Sequence, residues 1–390
     1  MMKRSVLFVV DEREMGGVSV VLNDLIHLLN RKIFQIDVLI LHNKGSMLNK
    51  LPEDVNVIYG TKYFEAIDFT LKQALQSKSL KTIYRKLKVV FDLKTGNIKR
   101  VIQNERKKIL NKPYDVEVAY KDGFTAIFTA YGNTPKKIHW LHSAYGTFDP
   151  TAKYYKLFTQ VLPRFDHIVG VATNVVKEFN EIYHLDSITE VIPVAIDTER
   201  IKAMAAKPSL VKLHNNKLNI VVVGRAHPVK GYERMVQAFM RLHNENLLEH
   251  VVVHVFGDGP LFETIVNQIK MNDLEDVIFM DGSIANPYAE MKNFDFLLLP
   301  SYSEAFGTVI SESFILHVPV LATETSASLM SIQPNQNGWI CKNSEDGLYL
   351  ALKDVILHPA KVRDCKNQLQ SFEYDNAKIL QRITEILKEE

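Results

Sequence analysis

The sequence predicts an α/β protein of two doubly wound domains facing across a cleft. Three observations lead there. The chain has 390 residues, more than one compact core usually holds. Short apolar runs bounded by turn signals alternate with helical periodicity, the pattern of parallel strands buried on both faces beneath helices. That alternation comes as two series joined near residue 195.

The first series opens with SVLFVV (5–10), followed by DEREMGG and the helical VSVVLNDLIHLLN, then DVLILH (37–42). YDVEVAY (114–120), KKIHWLHS (136–143) and HIVGVAT (167–173) read as further strands, and NVVKEFNEIYH as a helix. Between them, residues 62–112 hold 14 Lys and Arg against 4 Asp and Glu, with basic and apolar residues at helical spacing in TIYRKLKVVFDL. Such a stretch is either a solvated basic helix face or a surface for an anionic lipid or acceptor. The second series follows VIPVAIDTER: LNIVVVG (218–224), VVVHVFG (251–257), VIFMDG (277–282), FDFLLLP (294–300) and VPVLAT (318–323), with helices such as YERMVQAFMRLH between. The expected domains are 1–194 and 195–372, with an amphipathic helix over 373–390.

Composition is that of an ordinary globular chain, 46% hydrophobic and 24% charged with a net charge of +2. No apolar run is long enough for a membrane span. The N-terminal apolar run stops at Asp11 without a small-residue cleavage site, so a signal peptide is not expected. Cys341 and Cys365 make neither a disulfide framework nor a metal cluster, which fits a reducing cytosol. No nucleic-acid partner is expected.

Ligands of doubly wound sheets bind beyond the carboxyl ends of the strands, and three candidate stretches fall there. After the first strand, Gly16 and Gly17 let backbone approach a ligand beside a helix N-terminus, or simply make a turn. After 218–224, Gly224 is followed by Arg225 and, five residues later, Lys230, two cations suited to a diphosphate or else ordinary surface charges. Gly257 and Gly259 sit at the next strand end without the third glycine of a dinucleotide fingerprint. In SYSEAFGTVISESF, Glu304 lies in a loop and Glu312 on the helix that begins at Gly307 and Thr308. The positive end of that helix suits an anion, although Glu312 could equally serve only its own helix end. No Asp-x-Asp pair is present to hold a metal against a diphosphate, and no G-x-S-x-G elbow or zinc-like spacing occurs.

Taken together, GRAHPVKG, VFGDGP, PSYSEAFGTVISES and NGWI resemble the C-terminal half of the retaining glycosyltransferase family 4, of GT-B fold. MGGVS, WLHS and VIPVAIDTER fall where that family has its glycine loop, active-site histidine and linker. The resemblance implies a nucleotide-diphosphate-sugar donor, with a UDP-sugar expected, and no cofactor or metal besides it. It implies Arg225 and Lys230 on the diphosphate, Glu312 on the ribose, and Glu304 on the donor sugar. Gly224, Gly257 and the backbone of Phe306, Gly307, Thr308 and Val309 would line the donor. Gly16 and Gly17 would reach the diphosphate on closure, and His142 would meet the sugar, although a packed histidine is the alternative. The implied reaction moves a hexose or N-acetylhexosamine to a surface-glycan, teichoic-acid or lipid-linked acceptor. It would take place in the cytoplasm; on the anionic-lipid reading of 62–112, drawn from its charge and spacing alone, that segment would rest on the inner face of the plasma membrane. A non-catalytic partner of an active homologue and a GT-B epimerase are the alternatives. The terminal helix would cross back to the first domain. The chain departs from the family at His317, at Ser326 and Ala327, and at Val194-Ala195, where glycines (Asn-Gly in the last case) are usual.

Overall fold

The computed structural model describes residues 3–11, 17–42, 51–68, 70–143 and 154–389. Two compact units result, Met1–Ile196 with Asn376–Glu390, and Asp197–Asp375. Gly16 lies outside the described residues.

Among the described residues the first unit carries β1 (Arg4–Val10), β2 (Phe34–Ile40), β3 (Asn56–Tyr59), β4 (Val116–Ala119), β5 (Lys136–Leu141), β6 (His167–Gly170) and β7 (Thr189–Val191). All pair in parallel, in the order β3-β2-β1-β4-β5-β6-β7. The second unit carries β8 (Leu218–Val223), β9 (Val251–Phe256), β10 (Ile278–Gly282), β11 (Phe296–Leu299), β12 (Val320–Thr323) and β13 (Gly338–Cys341), again parallel, in the order β10-β9-β8-β11-β12-β13. Each is therefore a doubly wound α/β sheet, as the two series predicted. The strands the periodicity missed, β3, β7 and β13, are sheet edges of three or four residues. An edge strand has one neighbour and needs no long apolar run to hold its place.

Strand order decides where chemistry can sit. In the second unit the chain leaves β8 toward β9 on one side, and later returns to β11 on the other. The loops after β8 and β11 therefore diverge and leave a crevice at their carboxyl ends. Beneath it, Ile220, Val222, Val253, Val255, Phe296 and Leu298 fill the sheet against Met235, Phe239 and Leu242 of the helix Tyr232–Asn244. The first unit has the same reversal between β1 and β4.

The helix Asn376–Lys388 belongs to the first unit and buries Ile383, Ile386 and Leu387. Arg4 donates to the carbonyls of Lys388 and Glu389 at 2.7 Å each, and Arg382 forks onto Glu190 at 2.8 and 3.0 Å.

Candidate functional site

Lys230 and Glu304 come together at the crevice between β8 and β11. Lys230 Nζ lies 2.5 Å from Glu304 Oε1, which also accepts a hydrogen bond from Ser301 Oγ at 2.7 Å. The two residues are 74 apart in sequence and meet because their loops dock. The Tyr302 N–H donates to the Val229 carbonyl at 2.8 Å. Gly231 approaches Pro300 so closely that a Cβ would lie 2.0 Å from its carbonyl oxygen, and its φ of 68° is one that side chains disfavour. Only glycine fits that position. Arg225 stands exposed just past the end of β8.

A buried cation that the sequence reading passed over holds this loop. Arg234, almost wholly buried, donates to the Pro300 carbonyl (2.7 Å), Asn343 Oδ1 (2.7 Å) and Thr323 Oγ1 (3.2 Å), and its guanidinium lies 4.0 Å above the Tyr302 ring. Burial lowers its pKa. Asn343 Nδ2 in turn donates to the carbonyls of Tyr302 and Glu324, and Thr323 Oγ1 to that of Ser301. The available signal was a charge set within the apolar face Tyr232, Met235, Val236 and Phe239. Such a charge persists only where its hydrogen bonds are made.

Next to Glu304 the helix Thr308–Ile315 begins at Gly307 with no side-chain cap. The N–H groups of its first turn, those of Thr308 and Val309, have no side-chain cap among the described residues and give it a positive end. Phe306 is buried beside them and Glu312 is half-buried about one turn along. Gly224 and Gly257 have a packing duty: a Cβ on Gly257 would lie 1.7 Å from the Gly224 carbonyl oxygen, which also accepts from Tyr232 Oη at 2.7 Å. The loops after β8 and β9 are thereby stacked. Burial and the nearby Glu304 charge raise the Tyr232 pKa, so its hydroxyl stays a donor.

Two of the three departures from the family pattern, His317 and Ser326-Ala327, fall in defined local structure. His317 takes up left-handed backbone (φ 59°) just past that helix. Its N–H donates to Phe314 and the Val318 N–H to Ser313, both at 2.9 Å, the helix-ending arrangement in which glycine is favoured. Glycine there is a backbone preference. His317→Gly is expected to stabilise the fold by about 1 kcal/mol, read by thermal unfolding. Ser326 opens the helix Ser326–Ser331, capped by Thr325 and Ser328, and the Ala327 N–H donates to the Glu304 carbonyl at 3.2 Å.

Gly17 and His142 lie in the first unit. Gly17 starts the helix Gly17–Leu28, and among the described residues a Cβ there would meet nothing within 4 Å. His142 follows β5 directly, its ring 4.7 Å from that of Tyr120 and its Nε2 buried without a hydrogen bond among the described residues. Burial holds its pKa down to about 4, against an ordinary 6.5, despite the Asp122 charge. The unfolded chain thus binds a proton at higher pH than the folded one. Stability from this group is intact above about 6.5 and is lost as pH falls toward 4. A pH series of thermal melts should show that slope, and His142→Asn should flatten it.

Among the described residues no cluster of three or more His, Cys, Asp or Glu could hold a metal ion. Residues 208–372 match the family model described as glycosyl transferases group 1. Relatives align as well, among them two that each match across half of the chain. The phosphatidylinositol N-acetylglucosaminyltransferase GPI3 subunit of Saccharomyces cerevisiae is 29% identical over 204 residues, 50% of this chain and 44% of that protein. N-acetyl-alpha-D-glucosaminyl L-malate synthase of Bacillus anthracis is 26% identical over 201 residues, 50% of this chain and 52% of that one. The chain thus spans about half the length of the relatives it matches. Anabaena HepE, crystallised with UDP and glucose, superposes with a TM-score of 0.72 at 17% identity, covering 98% of this chain and 99% of that one. Such a likeness identifies the GT-B fold.

Proposed function

We infer that this chain, whose residues 208–372 match the glycosyl transferases group 1 model, is a retaining, metal-independent glycosyltransferase. It moves a hexose or N-acetylhexosamine from a UDP-sugar to a surface-glycan, teichoic-acid or lipid-linked acceptor. One observation carries this reading: the Lys230–Glu304 pair at the crevice between β8 and β11, beside an uncapped helix N-terminus. The relatives' names contain N-acetylglucosaminyl, and the solved neighbour held UDP and glucose. A UDP-hexose or UDP-N-acetylhexosamine is proposed on that account.

In this reading Arg225 and Lys230 hold the diphosphate, with the N–H groups of Thr308 and Val309 directed at donor oxygens. Glu304 orients the Lys230 ammonium and accepts from sugar hydroxyls, and Glu312 accepts from the ribose. As the anomeric carbon–phosphate oxygen bond breaks, negative charge grows on the β-phosphate. Fixed cations and N–H dipoles stabilise that charge more than they stabilise the intact donor, which is how they lower the barrier. The acceptor oxygen bonds to the anomeric carbon on the face the phosphate leaves, and its proton passes to the departing phosphate. The products are UDP and a glycoside of unchanged configuration.

Titration calorimetry with UDP tests the assignment. Glu312→Ala should weaken UDP binding roughly tenfold, the worth of one charged hydrogen-bonding group, and EDTA should leave transfer unchanged. UDP binding that ignores Glu312 contradicts the ribose role, and transfer abolished by EDTA contradicts metal independence.

A further inference from the structure

The helix Leu80–Lys94 turns its large apolar side chains outward. Leu80 is 83% exposed, Tyr84 66%, Leu87 51% and Phe91 61%. Their spacing of four, three and four residues sets them in one stripe along the helix. The opposite side is anchored: Val89 is wholly buried, the buried Lys86 Nζ donates to the carbonyls of Ala66 and Ile67, and Asp92 accepts from Tyr63 Oη and Lys88 Nζ. The helix is therefore fixed by its other side, and Leu80, Tyr84, Leu87 and Phe91 are left over. The neighbouring helix Leu71–Gln76 packs against it and adds exposed Leu71 and Leu75. Six large exposed hydrophobics on two helices that pack together exceed the scattered exposure usual for a soluble domain.

The charge around the stripe is of one sign. Lys72, Lys78, Lys81 and Lys94 are all exposed, within the segment 62–112 that holds 14 basic against 4 acidic residues. We propose that the outward faces of Leu71–Gln76 and Leu80–Lys94 dock on an anionic bilayer. Leu80, Leu87 and Phe91 enter the acyl boundary, Tyr84 sits at headgroup level, and the lysines meet the lipid phosphates. A soluble polyanion would use the lysines but has no use for four large hydrophobics in line. A bilayer uses both, the apolar side chains leaving water while long lysine stems keep their charges at the surface. Among the described residues no helix is long and apolar enough to cross a membrane, so this contact lies on the bilayer. The inference stands apart from the transferase reading and does not need it.

Vesicle flotation of the full chain tests it, using phosphatidylcholine with and without phosphatidylglycerol. The wild type is expected to float with the phosphatidylglycerol vesicles and to bind more weakly at high salt. Leu87→Ser with Phe91→Ser should lower the partition at least roughly tenfold, with an unchanged melting transition because both side chains are exposed. In a Phe91→Trp variant the indole emission should shift to the blue on those vesicles and not with soluble polyphosphate. Three results overturn the proposal. One is no flotation on anionic vesicles. A second is flotation unaffected by the double substitution but competed away by polyphosphate, which would make the face a polyanion site. The third is a concentration-dependent dimer that the double substitution breaks, which would make the stripe a contact between copies.

Discussion

Lys230→Ala is expected to slow sugar transfer by roughly 10²–10³-fold, the usual worth of one preorganised group aimed at developing charge. The same change should alter the unfolding free energy by no more than about 1 kcal/mol, because the ammonium is partly solvated and Glu304 keeps its hydrogen bond from Ser301. Glu304→Gln should cost a comparable factor. The amide keeps the side chain's shape but loses the charge that orients Lys230. Since the two groups touch, they act as one unit, and the double variant should be little worse than either single one. Single-turnover rates beside denaturation midpoints decide the matter. Losses that multiply would mean the pair is not a unit, and a stability loss matching the rate loss would make the pair a structural tie.

Arg234→Leu is expected to destabilise the fold by about 2–3 kcal/mol, the worth of hydrogen bonds from a charged donor to partners that then stay buried and unmatched. The Pro300 carbonyl and Thr323 lose their donor, and the loop carrying Ser301 to Glu304 loses its clamp. Arg234 is a positioning residue, so the variant should also raise the donor KM more than it lowers kcat. Arg234→Lys should not restore it, because a point charge cannot reproduce three donors held in one plane. A midpoint in urea within error of the wild type would contradict this account of the loop.

The contrast between these two residues shows how far the sequence could be read. Lys230 and Glu304 were visible as candidates because each follows a strand-like run, and such ends are where doubly wound sheets bind ligands. Their direct contact was not visible. It depends on β8 and β11 being neighbours, and strand order is not written in local periodicity. Arg234 stayed hidden because a charge in a helical stretch reads as solvated until its partners, Pro300 and Asn343, are known. His317 stood out only as a departure from a family glycine, and that it sits in the left-handed turn ending a helix could not be read without φ. The ten strand-like runs all matched strands, nine of them interior to their sheets and one, β10, at an edge, whereas β3, β7 and β13 escaped as edges of three or four residues. The basic segment read correctly as helical, but which side of Leu80–Lys94 faces water follows from Lys86 and Val89 turning inward.

The central claim is that the Lys230–Glu304 crevice activates a sugar nucleotide. Its most direct test is UDP release from a panel of UDP-hexoses and UDP-N-acetylhexosamines, with glycan and lipid-linked acceptors, by the wild type and by Glu304→Ala. The account predicts turnover of at least one donor by the wild type and its loss in the variant, while UDP still binds both. A wild type that binds UDP yet turns over no donor with any of these acceptors would contradict it.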